Sequence, residues 1–384
     1  MSDPITIVGS GLAGYTLARE LRKLDAKSSL RIVSADDACF YSKPMLSNAL
    51  AQNKTAEMLV NTPAAAMAQQ LNAEILPHTT VHALDTNAHR LRTSGGELSY
   101  SRLVLAVGAQ PLRAPMAQGA DIPLSVNSLA DYARFRTALA SAHNIAVIGA
   151  GLIGCEFAND LAAKGHRVAV IDPSAHPLGR LLPPRVGQAL QARLGEIGIE
   201  WHLATSVTGI ETRANGVSAY RLSLADGGEI VVDLVLSAIG LRAHTALAQA
   251  AGIVTQRGIV VDRLLQTSAP DVYALGDCME IEGLVLPFVL PIMQQARALA
   301  KTLSGQPTPL QYPAMPVVVK TPALPLVVNP PPPAVAGTWQ IEGDGNDLAA
   351  RFIDAEGRLH GFALSGAATA KKQELARSLP ACLA

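Results

Sequence analysis

One local pattern occurs twice in the chain and limits what the chain can fold into. The apolar run Ile5 to Val8 leads into Gly9-Ser10-Gly11-Leu12-Ala13-Gly14, and the apolar run Ile145 to Ile148 leads into Gly149-Ala150-Gly151-Leu152-Ile153-Gly154. Each run reads as a buried strand, and each G-x-G-x-x-G stands where a helix begins. The first glycine permits a tight turn, the second lets backbone approach a pyrophosphate, and the third lets the helix pack on the strand. The phosphates then rest on the unpaired N–H groups of the helix start. One match alone is weak evidence, because glycine-rich turns are common. Two in the same strand-to-helix context predict two dinucleotide sites in one chain.

The residues after each glycine turn differ. Strand Val168 to Ile171 ends at Asp172, an acid 18 residues past Gly154, placed where a carboxylate accepts bonds from a ribose diol. That favours NAD over NADP, although Arg167 and Arg180 are close enough in sequence to meet a 2′-phosphate. In the first unit, strand Leu30 to Val33 ends at Ser34-Ala35-Asp36-Asp37, so the ribose acid is missing or displaced.

A chain of 384 residues exceeds what one core supports, so two or three domains are expected. With 49% hydrophobic and 16% charged residues and a formal net charge of zero, the composition suits an α/β enzyme. It offers no pull toward nucleic acid or anionic membrane. Met1 runs almost directly into the first strand without a basic and apolar leader, and no apolar stretch is long enough to span a bilayer, so a cytoplasmic protein is expected. Cys39, Cys155, Cys278 and Cys382 show no CxxC spacing, which argues against a disulfide framework, a metal site or a dithiol pair. Inert, buried thiols are the default reading.

A third signal lies at Thr267-Ser268-Ala269-Pro270-Asp271-Val272-Tyr273-Ala274-Leu275-Gly276-Asp277, where an apolar strand delivers Gly276 and Asp277 to a helix start. This segment resembles the second FAD motif of the pyridine-nucleotide-disulfide reductase superfamily, which implies that Asp277 bonds the flavin ribityl chain. Leu103 to Gln110 and Leu234 to Gly240 resemble the strands that carry that superfamily's chain between its two dinucleotide domains. Tyr41-Ser42-Lys43-Pro44-Met45-Leu46-Ser47-Asn48 is similar to the basic-Pro-x-Leu-Ser motif of the single-electron branch, the ferredoxin and rubredoxin reductases. The cysteine pair of the disulfide reductases is absent there, so thiol catalysis is not expected. Met315 to Pro322 is similar to the short C-terminal region of the rubredoxin reductases.

The resemblance covers essentially the whole chain. It implies a mixed α/β fold of two Rossmann-like dinucleotide-binding domains plus a small C-terminal α+β cap, with FAD and NADH as cofactors and rubredoxin as electron acceptor. The implied boundaries are 1–112 and 241–308 for the FAD domain, 113–240 for the NAD domain, and 309–384 for the cap. On the FAD side it implies Gly9, Gly11, Leu12, Ala13, Gly14, Ser34, Ala35, Asp36, Lys43, Pro44, Val81, Gly108, Glu156, Gly276, Asp277, Val289 and Lys320. On the NAD side it implies Gly149, Gly151, Leu152, Ile153, Gly154, Asp172 and Gly240. No metal is implied, and no residue acts as nucleophile or general base; Glu156 and Lys43 stand near the flavin and nicotinamide.

Two departures matter. Where ferredoxin reductases carry Lys after Leu-Ser this chain has Asn48, and where they carry Arg it has Asn127, so Lys43 and Lys320 are expected to supply the charge. A lysine paired with Glu156 would hold the ring and tune its electronics. The implied role is to take a hydride from NADH and release single electrons to rubredoxin, in support of a monooxygenase such as an alkane hydroxylase. Cations at Lys43, Lys320, Arg113 and Arg297 would attract an acidic rubredoxin. The alternatives are an NADH oxidase or ferredoxin reductase of the same fold, or a flavin-bearing NADH-sensing interaction protein. A monomer is compatible with all of them.

Overall fold

The computed structural model describes residues 3–213 and 219–384. Strands that are apolar on both faces need cover on both faces, as parallel sheets have. Strand Ile5–Val8 is accordingly the centre of a five-stranded parallel sheet, ordered Val272–Ala274, Arg102–Leu105, Ile5–Val8, Leu30–Val33 and Glu74–Leu76. Helix Leu12–Leu24 buries Tyr15, Leu17, Ala18 and Leu21 and packs beside helix Val289–Leu303. Its last turn carries Arg22 and Lys23, cations that suit the negative end of the helix dipole.

The second unit repeats the plan around strand Asn144–Ile148. Its parallel sheet runs Ile199–Leu203, Arg167–Asp172, Asn144–Ile148 and Leu234–Ser237. Each unit also carries a three-stranded antiparallel sheet: Val81–Asp85, Arg90–Thr93 and Gly96–Ser99 in the first, Val207–Thr212, Tyr220–Leu224 and Glu229–Val232 in the second. The repetition seen in the glycine turns therefore extends to whole units. The two expected crossings are joined to each other, because Ala109–Pro111 pairs antiparallel with Leu241–Ala243.

The C-terminal part is a five-stranded antiparallel sheet, ordered Val317–Val319, Leu326–Asn329, Leu359–Ser365, Ala349–Ile353 and Thr338–Glu342. Strands Ala349–Ile353 and Leu359–Ser365 follow the alternating apolar residues of Leu348 to Phe352 and Leu359 to Leu364. The last helix is Lys372–Ser378, entered through a 3-10 turn over Gly366–Lys371. Strand Thr338–Glu342 was not anticipated: its alternation is Thr-Trp-Gln-Ile-Glu, too polar to stand out beside the proline run. Lys320 follows strand Val317–Val319 rather than lying inside one.

One core cluster lies under the first sheet and includes Leu310, Tyr312 and Leu383 from the chain's last part. A second is shared by three segments: Leu46, Ala49 and Leu50 of the Lys-Pro-x-Leu-Ser stretch, the helices of the second unit, and Val319, Leu326, Val328 and Ala363 of the C-terminal sheet. Hydrophobic burial thus ties all three parts of the chain at one junction.

Candidate active site

The two glycine turns have the same construction. Gly9 has φ +118°, and a Cβ on it would stand 2.2 Å from the Ala106 carbonyl oxygen; Gly149 has φ +106° with a Cβ 2.7 Å from the Ala238 oxygen. Only glycine fits positions with both constraints. A Cβ on Gly14 or Gly154 would lie 2.0 or 1.8 Å from the oxygen of Gly9 or Gly149, so helix and turn are in backbone contact. Gly11 and Gly151 differ, since among the described residues no atom beyond their own chain neighbours lies within 4 Å of a Cβ built there. Both are helix N-caps without a side-chain cap bond, so first-turn N–H groups face open space.

Behind the first turn, Ser34 Oγ donates to Asp36 Oδ1 at 2.5 Å and accepts from Ser10 Oγ at 2.5 Å, which leaves Ser10 Oγ 3.2 Å from the same carboxylate oxygen. Asp36 is thus held at the strand end through Ser34. Behind the second turn, Asp172 Oδ2 accepts from the Ala150 N–H at 2.7 Å, and Oδ1 accepts from the Ser174 N–H at 2.8 Å. Asp172 braces the glycine turn while remaining half-buried. Arg167 and Arg180 are both exposed.

Strand Val272–Ala274 leads through Leu275 to Gly276, with φ +82° and a would-be Cβ 2.7 Å from Ala13 Cβ; Gly276 and Asp277 open a single 3-10 turn, Gly276–Cys278, that runs into strand Met279–Ile281 rather than the helix start expected there. This close approach seats Asp277 beside the first glycine helix. Lys43 is its electrostatic neighbour: burial holds the Lys43 ammonium below its ordinary pKa, opposed by Asp277 and Asp131. Burial raises the Asp277 carboxyl, opposed by Lys43. No hydrogen bond reaches either side chain among the described residues. His244 is held below its ordinary value by burial, with Lys43 and Arg242 adding to the effect, so it belongs to the same neighbourhood.

Glu156 lies mid-helix in Leu152–Ala162, not in the first turn, and is 3% exposed. Its Oε2 accepts from Lys320 Nζ at 2.6 Å and Ser47 Oγ at 2.5 Å, and its Oε1 accepts from the Lys320 N–H at 2.9 Å. Lys320 Nζ also donates to Ser47 Oγ at 2.9 Å and to the Pro44 carbonyl. One turn on, Asp160 accepts from the Leu50 and Ala51 N–H groups, and Asn159 accepts from Ala323. One helix face thus holds both the Lys-Pro-x-Leu-Ser stretch and the start of the C-terminal sheet.

The other expected residues are placed as follows. Val81 packs against the first core, and Val289 opens helix Val289–Leu303 and is 36% exposed. Gly108 and Gly240 have positive φ on the facing crossings. Asn127 bonds the Ala109 carbonyl instead of supplying charge. Two expected docking cations are already neutralised, Lys320 by Glu156 and Arg113 by Asp121. All four thiols are free, but only Cys155 and Cys278 are fully buried; Cys39 is half-buried and Cys382 exposed, which corrects the uniform burial expected for them.

A model of the pyridine nucleotide-disulphide oxidoreductase family matches residues 3–301. The chain belongs to that family. A rubredoxin binding C-terminal domain model matches residues 309–379. The chain is 50% identical over 379 residues to a rubredoxin-NAD(+) reductase of Acinetobacter baylyi, covering 97% of this chain and 96% of that one. It is 39% identical over 381 residues to a protein of Citrobacter koseri named nitric oxide reductase FlRd-NAD(+) reductase, covering 99% of this chain and all of that one. Among solved structures, the chain resembles that of a covalent putidaredoxin reductase–putidaredoxin complex, with TM-score 0.88 and 28% identity over 98% of this chain and 94% of that chain.

The family's cofactor can be tested against this chain. An FAD needs a phosphate seat, a partner for its ribityl hydroxyls and room between them. Gly11 leaves the seat open, and Asp277 is a half-buried carboxylate with no protein hydrogen bond, where buried polar groups normally have one. The residues fit. Sequence reasoning missed Ser10, Ser47 and Asp160, whose roles depend on partners far away in the chain; the sole signal was the Leu-Ser pair containing Ser47.

Proposed function

We propose that this member of the family oxidises NADH through FAD and passes the electrons singly to rubredoxin, so that NADH and two oxidised rubredoxins give NAD⁺, a proton and two reduced rubredoxins. The observation that carries the reading is the combination of two nucleotide turns in one chain with a C-terminal sheet matched by a rubredoxin-binding model. When bound, FAD would supply the exchange between two-electron hydride chemistry and single-electron release that nicotinamide alone does not provide. The chain supplies position and charge. Gly9, Gly11, Leu12, Ala13 and Gly14 seat the FAD pyrophosphate, with Ser34, Ala35, Asp36, Val81 and Gly108 around the adenosine side. Lys43, Pro44, Gly276, Asp277 and Val289 hold the flavin side. Gly149, Gly151, Leu152, Ile153, Gly154 and Gly240 receive NADH, and Asp172 disfavours a 2′-phosphate by repulsion. Glu156 and Lys320 hold the boundary between the flavin and nicotinamide sides.

We also assign residues 1–112 and 241–308 to the FAD domain, 113–240 to the NAD domain and 309–384 to the cap, in a cytoplasmic protein. No described helix is long and apolar enough to cross a membrane. Stopped-flow oxidation of the NADH-reduced protein by rubredoxin, ferredoxin and oxygen in parallel tests the acceptor; equal rates with all three would refute rubredoxin. An alkane hydroxylase is the proposed consumer of the reduced rubredoxin, and reconstitution with it, set against a nitric oxide reductase, decides that step.

A further inference from the structure

Gln295 is 1% exposed on helix Val289–Leu303, and its Oε1 accepts from the Gly276 N–H at 2.6 Å. A backbone amide only donates, so the side-chain carbonyl must face Gly276 and the NH₂ must face away. There it donates to Tyr312 Oη at 2.7 Å. Tyr312 is fully buried, and burial pushes its hydroxyl pKa up to about 12, so it stays a neutral partner across the working pH range.

Tyr312 is itself fixed by distant chain. Its N–H donates to the Leu383 carbonyl at 2.8 Å, and its carbonyl accepts from Cys382 at 2.8 Å and Leu383 at 3.1 Å. Leu383 is 5% exposed in the core of the first unit, and Arg263 Nη1 donates to the Ala384 carbonyl. The segment 382–384 thus returns from the C-terminal sheet to close behind the turn that presents Asp277.

We propose that segment 382–384, Tyr312 and Gln295 form a positioning relay that holds the Gly276–Asp277 turn in its ligand-binding conformation. The relay rests on the reading that Asp277 holds FAD. Gly276 combines positive φ with a close approach to Ala13, so the turn has little tolerance for displacement. A buried amide that loses its acceptor is driven to find another. Released from Gln295, the turn would carry Asp277 with it.

The test measures FAD binding to apoprotein by quenching of flavin fluorescence. Tyr312→Phe leaves the Gln295 NH₂ without an acceptor, and its FAD dissociation constant should rise about three- to tenfold. Deleting residues 381–384 should raise it at least as much, and combining the two changes should add little, because both act through Gln295. Tyr100→Phe is the control, being equally buried in the same core but bonded to the Asp85 carbonyl instead; it should leave FAD affinity unchanged. Hydrogen exchange at the Gly276 amide should quicken in Tyr312→Phe apoprotein with circular dichroism unchanged. Wild-type affinity in Tyr312→Phe, or an equal loss in Tyr100→Phe, overturns the relay. Failure of the wild-type chain to bind FAD would overturn the flavin reading as well, which the wild-type arm shows separately.

Discussion

Replacing Lys320 with Met removes the cation from the Glu156 carboxylate while keeping most of the side chain's length. Glu156 is 3% exposed, so its charge would be left in a poorly solvated place. Breaking a buried ion pair by deleting one partner costs about 3–5 kcal/mol. The Lys320 side chain is 29% exposed, and the Ser47 hydroxyl and the Lys320 N–H still donate to Glu156. Both facts point to the lower end, about 3 kcal/mol. Glu156→Gln in the same chain removes the stranded charge, so the double variant should recover about 1–2 kcal/mol relative to additivity.

The chain has two tryptophans, Trp201 in the second unit and Trp339 in the C-terminal sheet. Urea unfolding in a Trp201→Phe background therefore follows the C-terminal sheet alone, without assuming one transition for the whole molecule. If Lys320→Met costs less than about 0.5 kcal/mol, or the two changes prove additive, the pair does not join the two parts and the reasoning fails.

Asp277→Ala should weaken FAD binding by about 1.5–3 kcal/mol, since a charge-assisted bond is lost; full occupancy at limiting FAD would show that Asp277 serves only the turn. Gly11→Val should fold normally and purify without flavin, because among the described residues only chain neighbours lie within 4 Å of the new Cβ and the clash is with ligand; an ordinary flavin absorbance per chain would refute this. Burial pushes the Cys278 thiol up to about 12 and raises Cys155 as well, so at pH 8 a thiol reagent should modify the exposed Cys382 first and leave those two unreacted until the chain unfolds. With Lys320 and Arg113 already paired, raising ionic strength from about 0.01 to about 0.5 M should lower kcat/KM for an acidic rubredoxin only modestly while leaving hydride transfer nearly unchanged, whereas a steep fall would show that cations other than these two steer the encounter.

The parts of the fold that were legible in the sequence are those whose constraint is local. Gly9 and Gly149 each need a backbone that only glycine adopts at a strand-to-helix turn, so the turns and the sheets around them could be read from a few consecutive residues. Asp277 was singled out only through the resemblance of its segment to a known FAD motif. Strand Thr338–Glu342 was not legible, because its stability comes from pairing with Ala349–Ile353 rather than from its own polar sequence. Glu156 and Lys320 were each identified, but their contact with Ser47 was not, since the bond joins residues 273 and 109 positions apart.

That last contact changes how the missing lysine at Asn48 should be understood. Asn48 donates to the Ser47 carbonyl at 2.6 Å and, more weakly, to the Lys320 carbonyl at 3.4 Å, so it borders the ion pair without contributing charge. The cation beside Glu156 instead enters from the C-terminal sheet, through backbone and ammonium together. A lysine at position 48 would place a second cation against one already paired, and like charges at that range disfavour one another. Asn48 is therefore the residue that the position of Lys320 requires, and Asn48→Lys should lower stability in the native chain yet recover part of the loss in Lys320→Met, where the new ammonium can reach the vacated carboxylate. Equal destabilisation by Asn48→Lys in both backgrounds would show that the two positions do not compete for Glu156.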